Sequence, residues 1–572
     1  MNRIFVLFFR RMRVPLIVLI TVYSVSIGGL VLMPGVDPDG NPWKIDFYHA
    51  FYFVSYTAPT IGFGEIPYPF SAAQRFWTLV SIYLTVIGWL YAIGTIFTLI
   101  QDQAFRRAWS EWRFERSVRD LSSPFYLICG YGDSGRLLVQ ALSDRGQRCV
   151  VIDSDPDAIR NLQVESLPLE VPYFCADAGE SEHLREAGIR HPCCVTLVAI
   201  TESDAVNLRI AITSKLLNPA LKVIACARST DTMKNLASFN TNHIINPFYS
   251  FAEHLTRALH SPAGYGLYTL LTTQPGTRIE KITPPPRGRW ILCGYGRFGK
   301  FVQRHFDYVG IPTVIIEPDP EGSGAPDGCI RGRGTEAVTL REAGINEAVG
   351  IVAGANDDSN NLSIIMTARD LKPTIYVVGR QNRFRDHELF EAAKVDLVMR
   401  SSRIVVRHIL SLVMTPLTDR FLRQARHQDE EWATALESRI TPLVGGVAPD
   451  TWTVSITAEH SPAIHKHIAG GGEVCLQALS RHPRNRGQPL PCIALLHLRD
   501  GEETLLPDVN LPLALGDEVL YCGAERTDEL MEWSLVNPKA LDYVTTGRET
   551  PEGLVWRWLE SRRGASSADG LD

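Results

Sequence analysis

The clearest chemistry in the sequence lies in one short loop, residues 60–65 (TIGFGE). Its two glycines alternate with larger residues, and glycine tolerates the backbone conformations that turn successive carbonyl oxygens to one side. Several such strands around an axis would replace the water shell of a dehydrated cation. The hydroxyl of Thr60 can add an innermost ring of oxygens. These residue types therefore predict a path for a cation.

Two uncharged apolar runs flank this loop, residues 14–33 and 76–100. Each is long enough to cross a hydrocarbon core of ~30 Å as a helix. Residues 46–58 are apolar and aromatic but too short to span, which predicts a half-membrane helix leading into the loop. Loop backbone at membrane depth is tolerated only where it lines a water-filled path or is buried in protein. The runs therefore predict a two-span membrane module.

The distribution of charge gives this module an orientation. Residues 1–100 carry a net charge of +2, whereas the whole chain carries -6. Arginines precede the first run and follow the second, and the segment between the runs has only Lys44 and Arg75 as basic residues. Because basic residues stay on the cytoplasmic side, we expect a multi-pass protein of the cell inner (plasma) membrane with both termini in the cytoplasm.

The loop in this setting resembles the selectivity filter of potassium channels, in which a pore helix ends in Thr, a hydrophobic residue, Gly, Tyr or Phe, Gly and an acid. Phe63 stands where Tyr is commoner in that family, and Glu65 where Asp is. The resemblance implies K+ ions bound at Thr60, Ile61, Gly62 and Phe63. The matching residues are Thr60, Ile61, Gly62, Phe63, Gly64 and Glu65.

One chain supplies only one filter strand, so the resemblance implies a homotetramer in the lipid bilayer. The second run would then line the inner pore. Gly88 and Gly94 in that run are candidate gating hinges. Small residues also allow close helix packing, and the sequence leaves these two interpretations open.

Two glycine-rich loops, residues 130–135 (GYGDSG) and 294–299 (GYGRFG), point to a second chemistry. Each follows a predicted strand, and an acid, Asp153 or Glu317, comes 23 residues after its first glycine. Such glycines let a pyrophosphate approach a helix N-terminus, and the carboxylate can bind a ribose diol while repelling a 2′-phosphate. The pattern favours NAD or an adenine nucleotide over NADP.

These loops belong to a tandem duplication. The sequence LREAGI occurs at residues 184–189 and again at 340–345, and residues 198–208 recur in altered form at 352–362. In both halves, short apolar runs alternate with helical patterns, which predicts βαβ units around a parallel sheet. Short strands and turns are predicted from about residue 440 to 533.

A pore module followed by two such repeats resembles prokaryotic ligand-gated potassium channels with tandem RCK (regulator of K+ conductance) domains. The resemblance implies a cytoplasmic gating ring regulated by NAD, ADP or ATP, and by Ca2+ in some members. It implies a first site at Gly130, Gly132, Gly135, Asp153, Asp177 and Arg228. It implies a second site at Gly294, Gly296, Arg297, Gly299, Glu317, Arg333 and Arg380.

The expected fold class is thus an α-helical membrane module with a cytoplasmic α/β part, made of two Rossmann-like domains with parallel sheets and a small C-terminal lobe. The expected divisions are a pore domain (1–100: outer helix 14–33, pore helix 46–58, filter 60–64, inner helix 76–100), a linker (101–124), a first RCK domain (125–283), a second with the C-terminal lobe (289–535) and a tail (536–572).

Two other functions would account for part of the sequence. A membrane-tethered NAD-dependent oxidoreductase leaves the TIGFGE loop unexplained, and no acid/base pair is evident, so we expect no enzyme. An RCK-regulated K+ transporter would need several pore repeats or a separate pore subunit. The pair Asp357-Asp358 could hold Ca2+, although a solvated loop is the favoured interpretation. The acidic balance argues against a nucleic-acid partner.

Overall fold

The computed structural model of the chain describes residues 2–279 and 283–547. The chain forms two compact units. The first comprises the residues up to 123, together with 172–174 and 185–191; the second comprises the remaining described residues. Most of the predicted tail, residues 548–572, lies outside the described part.

The first unit is built mainly of helices. Two stretches, Phe8–Leu32 and Ala72–Gln101, are long and apolar enough to cross a membrane. A short antiparallel ladder follows the first of them. The elements are α1 (Asn2–Leu32), β1 (Gly35–Val36), β2 (Pro42–Trp43), α2 (Phe47–Thr57), α3 (Ala72–Gln101) and α4 (Gln103–Arg119).

Side-chain caps fix where these helices begin. Asp46 accepts a hydrogen bond from the His49 backbone N–H at the start of α2, and Ser71 forms a capping box with Gln74 at the start of α3. Asp102 alone separates α3 from α4 and caps α4, while its second carboxylate oxygen pairs with Arg11 at 3.0 Å. The predicted linker is therefore a helix joined to the inner span through one residue.

The two spanning helices pack at a glycine. A Cβ atom added at Gly29 would overlap the Trp77 ring, and the Trp77 indole N–H donates to the Ser26 carbonyl at 3.0 Å. Glycine thus makes room on α1 for a tryptophan ring of α3. This contact fixes the two helices against each other.

The first copy of the duplication, from β3 to α11, alternates strands and helices. Its elements are β3 (Phe125–Cys129), α5 (Asp133–Ser143), β4 (Arg148–Asp153), α6 (Pro156–Val164), β5 (Tyr173–Cys175), α7 (Ser181–Glu186), β6 (Cys194–Ala199), α8 (Asp204–Leu217), β7 (Lys222–Cys226), α9 (Thr230–Ser238), β8 (His243–Ile245), α10 (Pro247–His260) and α11 (Pro262–Thr272).

The second copy, from β9 to α18, repeats that order. Its elements are β9 (Trp290–Cys293), α12 (Arg297–Tyr308), β10 (Thr313–Glu317), α13 (Pro320–Ser323), β11 (Ile330–Arg331), α14 (Ala337–Glu342), β12 (Gly350–Ala353), α15 (Asp358–Leu371), β13 (Tyr376–Gln381), α16 (His387–Ala392), β14 (Leu397–Arg400), α17 (Ser401–Met414) and α18 (Pro416–Ala425).

Each copy forms a six-stranded sheet of the same topology. The strand orders are β5-β4-β3-β6-β7-β8 and β11-β10-β9-β12-β13-β14, and the strands from β4 to β8 and from β11 to β14 pair in parallel. Buried Val, Ile and Leu side chains fill both faces. This is a doubly wound α/β fold whose order reverses beside β3 and β9, where such folds bind ligands. The predicted fold class is confirmed.

A smaller lobe follows, built on the antiparallel sheet β15-β20-β18-β19. Its core includes α11 from the end of the first copy, which packs on α19. The lobe also continues beyond residue 535, because α23 packs on α22. The elements are α19 (Glu430–Val444), β15 (Asp450–Ser455), α20 (Pro462–Ala469), α21 (Leu476–Leu479), β16 (Arg481–His482), β17 (Asn485–Pro489), β18 (Cys492–Arg499), β19 (Glu502–Leu505), β20 (Glu518–Gly523), α22 (Thr527–Val536) and α23 (Pro538–Thr546).

Candidate ion path and nucleotide pocket

The TIGFGE loop has an alternating backbone. The φ angles of Thr60, Gly62 and Gly64 are 66°, 67° and 98°, so every second residue lies in the left-handed region. A Cβ atom at either glycine would meet no atom of the same chain within 4 Å, so conformation rather than space requires glycine there. Thr60 adopts this conformation although it is β-branched, which is a strained state for such a residue.

Helix α2 holds the loop at both ends. The Ile61 backbone N–H donates to the Tyr56 carbonyl at 3.0 Å, and the Tyr56 hydroxyl donates to the Gly64 carbonyl at 2.5 Å. The Tyr56 ring also meets the Phe63 ring edge-on, with centroids 5.3 Å apart. Nothing in the sequence around Tyr56 indicates a partner eight residues later, so this role was not predictable from the residues.

The loop leads into an ion pair at its far end. Both Glu65 carboxylate oxygens bind the Arg75 guanidinium, at 2.8 and 3.0 Å, and one also accepts from the Phe70 backbone N–H at 2.8 Å. Paired, two-point hydrogen bonding of this kind fixes geometry. Glu65 therefore ties the end of the loop to the start of α3.

The two glycines proposed as hinges both lie inside α3, which is continuous across them. A Cβ atom at Gly88 would come within 3.6 Å of Leu19 and 3.8 Å of Val22 on α1, an ordinary packing distance. At Gly94 it would meet nothing within 4 Å. Gly88 thus faces α1, whereas a side chain at Gly94 would have open space within the single chain.

The first glycine loop, residues 130–135, needs its glycines for two reasons. Gly130 has a φ of 111°, and a Cβ there would lie 2.8 Å from the Thr201 backbone nitrogen. A Cβ at Gly135 would overlap the Gly130 carbonyl oxygen, whereas one at Gly132 would meet nothing within 4 Å. Gly130 and Gly135 therefore shape the turn, and Gly132 keeps the space above it open.

That space is a pocket of about 510 Å³ at the strand-order reversal beside β3. Five of the six residues predicted for the first site line it, whereas the sixth, Gly135, is buried in the first turn of α5. The five are Gly130, Gly132, Asp153, Asp177 and Arg228. The loop, the acid at the end of β4 and the residues after β5 and β7 thus come together as expected of a dinucleotide-type fold.

Backbone groups orient the acid of this pocket. One Asp153 carboxylate oxygen accepts from the Tyr131 backbone N–H at 2.5 Å and the other from the Asp155 backbone N–H at 2.7 Å. Each oxygen keeps a lone pair for a hydroxyl group. Asp177 pairs instead with Arg209 at 2.5 Å, and the Arg228 guanidinium donates to the Glu202 carbonyl at 2.6 Å. Asp153 is therefore the carboxylate best placed for a ribose.

The second copy supplies the opposite wall of the same pocket. Residues 381–384 and 400–402 line it, including Arg383, Phe384 and Arg400. The Phe384 backbone N–H donates to an Asp133 carboxylate oxygen at 3.2 Å, so this acid connects the first glycine loop to the second copy. Nothing in the sequence indicates this wall, because its residues lie more than 150 positions beyond the residues of the first copy that they face.

The second glycine loop, residues 294–299, has the same backbone but different surroundings. Glu317 accepts from the Tyr295 backbone N–H at 2.5 Å, as Asp153 does from Tyr131. A Cβ at Gly299 would overlap the Gly294 carbonyl oxygen, and one at Gly296 would meet nothing within 4 Å. The loop itself is thus formed as it is in the first copy.

The Arg380 side chain is buried beside the second glycine loop, where it takes up space that a ligand would need. Its guanidinium lies 4.8 Å from the Phe248 ring centroid and 5.6 Å from that of Phe298, and it donates to the Asn356 side chain at 2.8 Å. Burial, with nearby Arg297, lowers the pKa of Arg380 to about 10. Position 248 corresponds to position 402 in the repeat, so an aromatic ring stands here where the first pocket has Ser402.

The remaining predicted residues of the second site are more open. Arg297 and Arg333 are both exposed. Gly334 takes the place of an alanine in the first copy because a Cβ there would crowd the Cys293 sulfur at 2.5 Å. In the repeat, Arg333 occupies the position that Asp177 has in the first copy. The second site therefore has a base where the first site has an acid.

The interpretation of Asp357-Asp358 as a solvated loop is wrong for Asp358, which is only 6% exposed. Its carboxylate accepts from the backbone N–H groups of Asn382 and Arg383 at 2.7 and 2.8 Å. Asp357 caps α15 through the Asn360 N–H at 3.0 Å. Both acids thus accept hydrogen bonds from backbone N–H groups. Among the described residues, no group of three or more metal-ligating side chains occurs.

Comparison with known families matches both parts of the chain. Residues 13–102 match an ion channel family, and residues 126–247 and 290–401 each match the TrkA-N domain. Fold and site together define a membrane channel module joined to two nucleotide-binding-type domains. The chain belongs to the prokaryotic potassium channels that contain RCK domains.

The chain is similar to several curated proteins. It is 25% identical to potassium channel protein 1 of Methanocaldococcus jannaschii over 41% of this chain and 69% of that one. It is 24% identical to the voltage-gated potassium channel Kch of Escherichia coli, over 41% and 53%. An uncharacterized protein of Methanothermus fervidus is 28% identical over 37% of this chain and 32% of its own length. The chain thus spans between about a third and 69% of these relatives.

Solved structures with a similar arrangement include the GsuK channel, at 17% identity and a TM-score of 0.49, over 93% of this chain and 99% of that one. The GsuK channel bound to NAD is similar at 18% identity with a TM-score of 0.47, over 92% and 99%.

Proposed function

We propose that the chain forms a K+-selective channel in which four copies surround one ion path. The observation that carries the proposal is the alternating backbone of residues 60–64 at the C-terminal end of α2, between two spanning helices. The partial negative charge at a helix C-terminus favours a cation there. Carbonyl oxygens of Thr60, Ile61, Gly62 and Phe63 would then replace the ion's hydration shell.

The exposure of the loop favours assembly around a symmetry axis. Ile61 and Phe63 are 60% and 66% exposed in the single chain, although both are large and apolar. Neighbouring copies would cover them, and the four strands would complete the rings of oxygens that one strand leaves open. We infer a homotetramer with both termini in the cytoplasm, as the arginine distribution predicts.

Ion flux tests this proposal. The purified chain in liposomes should pass K+ much faster than Na+, and Gly62→Ala should abolish that preference because alanine resists a φ of 67°. Gly40→Ala is the matched control, since Gly40 has a φ of 82°, equally open surroundings and no place in the loop. Equal K+ and Na+ flux through the unaltered protein would refute the proposal.

We further propose that a nucleotide, NAD or ADP/ATP, binds in the first pocket and regulates the channel. Asp153 would hold the ribose, the N-terminus of α5 the phosphates, and Arg228 with Arg383 the remaining negative charge. Because both copies line this pocket, a nucleotide there would contact both and bias how they are arranged. The helix α4 then connects this part of the chain to α3 through Asp102.

The two middle glycines test which loop binds. Gly132 and Gly296 have nearly the same φ (-73° and -72°), and a Cβ at either meets no protein atom within 4 Å. Both alanine variants should therefore fold. In calorimetry with NAD, ADP and ATP, Gly132→Ala should weaken binding at least tenfold and Gly296→Ala should leave it unchanged. Binding that survives Gly132→Ala would exclude the first pocket.

A further inference from the structure

A second cavity lies in the same unit as the nucleotide pocket but shares no lining residue with it. It measures about 320 Å³ and is lined mainly by residues of α10, α11, α17 and α18. Nothing in the proposed channel mechanism uses it. Its lining is unusually rich in arginine and histidine.

The cavity lies where the two copies of the duplication meet. Helices α10 and α17 both have 14 residues and are displaced by 154 positions in the sequence. His254 and His408 therefore occupy one and the same position of the repeat, and both line the cavity. A molecule bound here would contact both copies at once.

The charges around the cavity do not balance. Four arginines and two acids line it, which leaves two positive charges in excess. Glu253 already pairs with Arg257 at 3.0 Å and Arg426 at 3.7 Å, and Asp419 pairs with Arg423 at 3.3 Å. Arg407 is half-buried and makes no hydrogen bond or ion pair with any described residue. It is the arginine left over for a ligand.

The histidines can contribute hydrogen bonds without adding charge. Burial lowers the pKa of His254, His408 and His243, and the nearby guanidinium groups of Arg257 and Arg407 lower that of His254 further. The His254 ring packs against Tyr268 with centroids 4.0 Å apart and the ring planes tilted by 35°, and its Nδ1 atom is buried without a partner among the described residues. A buried polar atom without a partner is costly unless something binds it.

We propose that this cavity is a second ligand site, which binds a small anion carrying a carboxylate or phosphate group through Arg407 and His254. The surplus positive charge excludes a metal cation as the occupant. A guanidinium binds either anion through two parallel hydrogen bonds. Because α10 and α17 belong to different copies, the anion would fix their relative position and so act on the same arrangement that the nucleotide biases.

Thermal unfolding of the full-length chain in detergent tests the proposal, with inorganic phosphate and citrate as probes against KCl of equal ionic strength. At least one probe should raise the unfolding temperature in a saturable way. Arg407→Gln should weaken that effect about tenfold or more. Arg403→Gln, on the exposed side of α17, is the matched control and should leave it unchanged.

Three results would overturn the proposal. They are no saturable effect of either anion, an effect that survives Arg407→Gln, and an equal loss in Arg403→Gln. If Arg407→Gln fails to fold, Arg407→Lys serves instead, because lysine keeps the charge but loses the two-point geometry. It should then bind the anion more weakly than the unaltered chain, and unchanged affinity would count against the site.

Discussion

At the scale of single residues, Tyr56 does the most to hold the proposed ion path. It accepts a hydrogen bond from Ile61 at one end of the loop, donates one to Gly64 at the other, and contacts Phe63 between them. These contacts offset the strained backbone of Thr60. The loop is therefore preorganised by the helix that precedes it, before any ion binds.

Removing the Tyr56 hydroxyl should loosen the outer end of the loop. One hydrogen bond contributes about 0.5–1.5 kcal/mol, so Tyr56→Phe should shift the balance between conducting and non-conducting loops about two- to tenfold. Single-channel recording would register this as a lower open probability. Tyr52→Phe, on the exposed side of the same helix, should behave like the unaltered channel. Indistinguishable records from the two variants would mean that the bond to Gly64 does not support conduction.

His254 predicts a pH dependence of stability. Its pKa in the folded chain lies well below the value of about 6.5 that it has when unfolded, so the unfolded state takes up the proton first. Stability is therefore complete above pH 6.5 and falls below it, by at most about 1.4 kcal/mol per pH unit from this group. Denaturant unfolding at pH 7.5 and 5.5 should show a smaller loss in His254→Gln.

Acidification from pH 7.5 to 5.5 also protonates groups other than His254, so a second histidine variant serves as the control. His427 is exposed, and His427→Gln should lose as much stability on acidification as the unaltered chain. If His254→Gln shows the same acid sensitivity as His427→Gln, the buried imidazole does not contribute to it.

At the scale of elements, the pairing of α1 with α3 depends on one small residue. A side chain at Gly29 must displace the Trp77 ring, whereas one at the adjacent Gly28 meets nothing within 4 Å. Gly29→Val should destabilise the membrane unit by about 1–3 kcal/mol and lower the yield of assembled protein, since overpacking forces side chains and backbone to move. Gly28→Val should have little effect. Equal melting temperatures for the two variants in detergent would rule out this packing.

Sequence patterns predicted the helices, strands and turns better than the contacts that these elements make with one another. Apolar length and glycine spacing are local signals, so the two spans, the parallel sheets and the turns at Gly130 and Gly294 were all foreseeable. The burial of Asp358 was not, because it depends on backbone N–H groups 24 and 25 residues later. The second wall of the nucleotide pocket and the partner of Tyr56 were missed for the same reason.

At the scale of the whole molecule, the two glycine loops are unequal. The first opens into a pocket with Ser402 on the facing wall, whereas Phe248, Phe298 and the buried Arg380 crowd the second. We expect one nucleotide per chain rather than two. Calorimetric titration should give that stoichiometry, with binding lost in Asp153→Ala and kept in Glu317→Ala. Two equivalent sites would contradict the difference between the loops.

Joining both copies in one polypeptide has a consequence for how their shared boundary can evolve. In a symmetric pair of identical subunits, a substitution near the axis appears on both sides, so an acid there faces an acid. Here the same position of the repeat holds Glu253 in α10 and Arg407 in α17. Fusion thus permits opposite charges at one ancestral position. Each copy can then acquire its own charges at the boundary, and in this chain the two copies differ there in the sign of the charge.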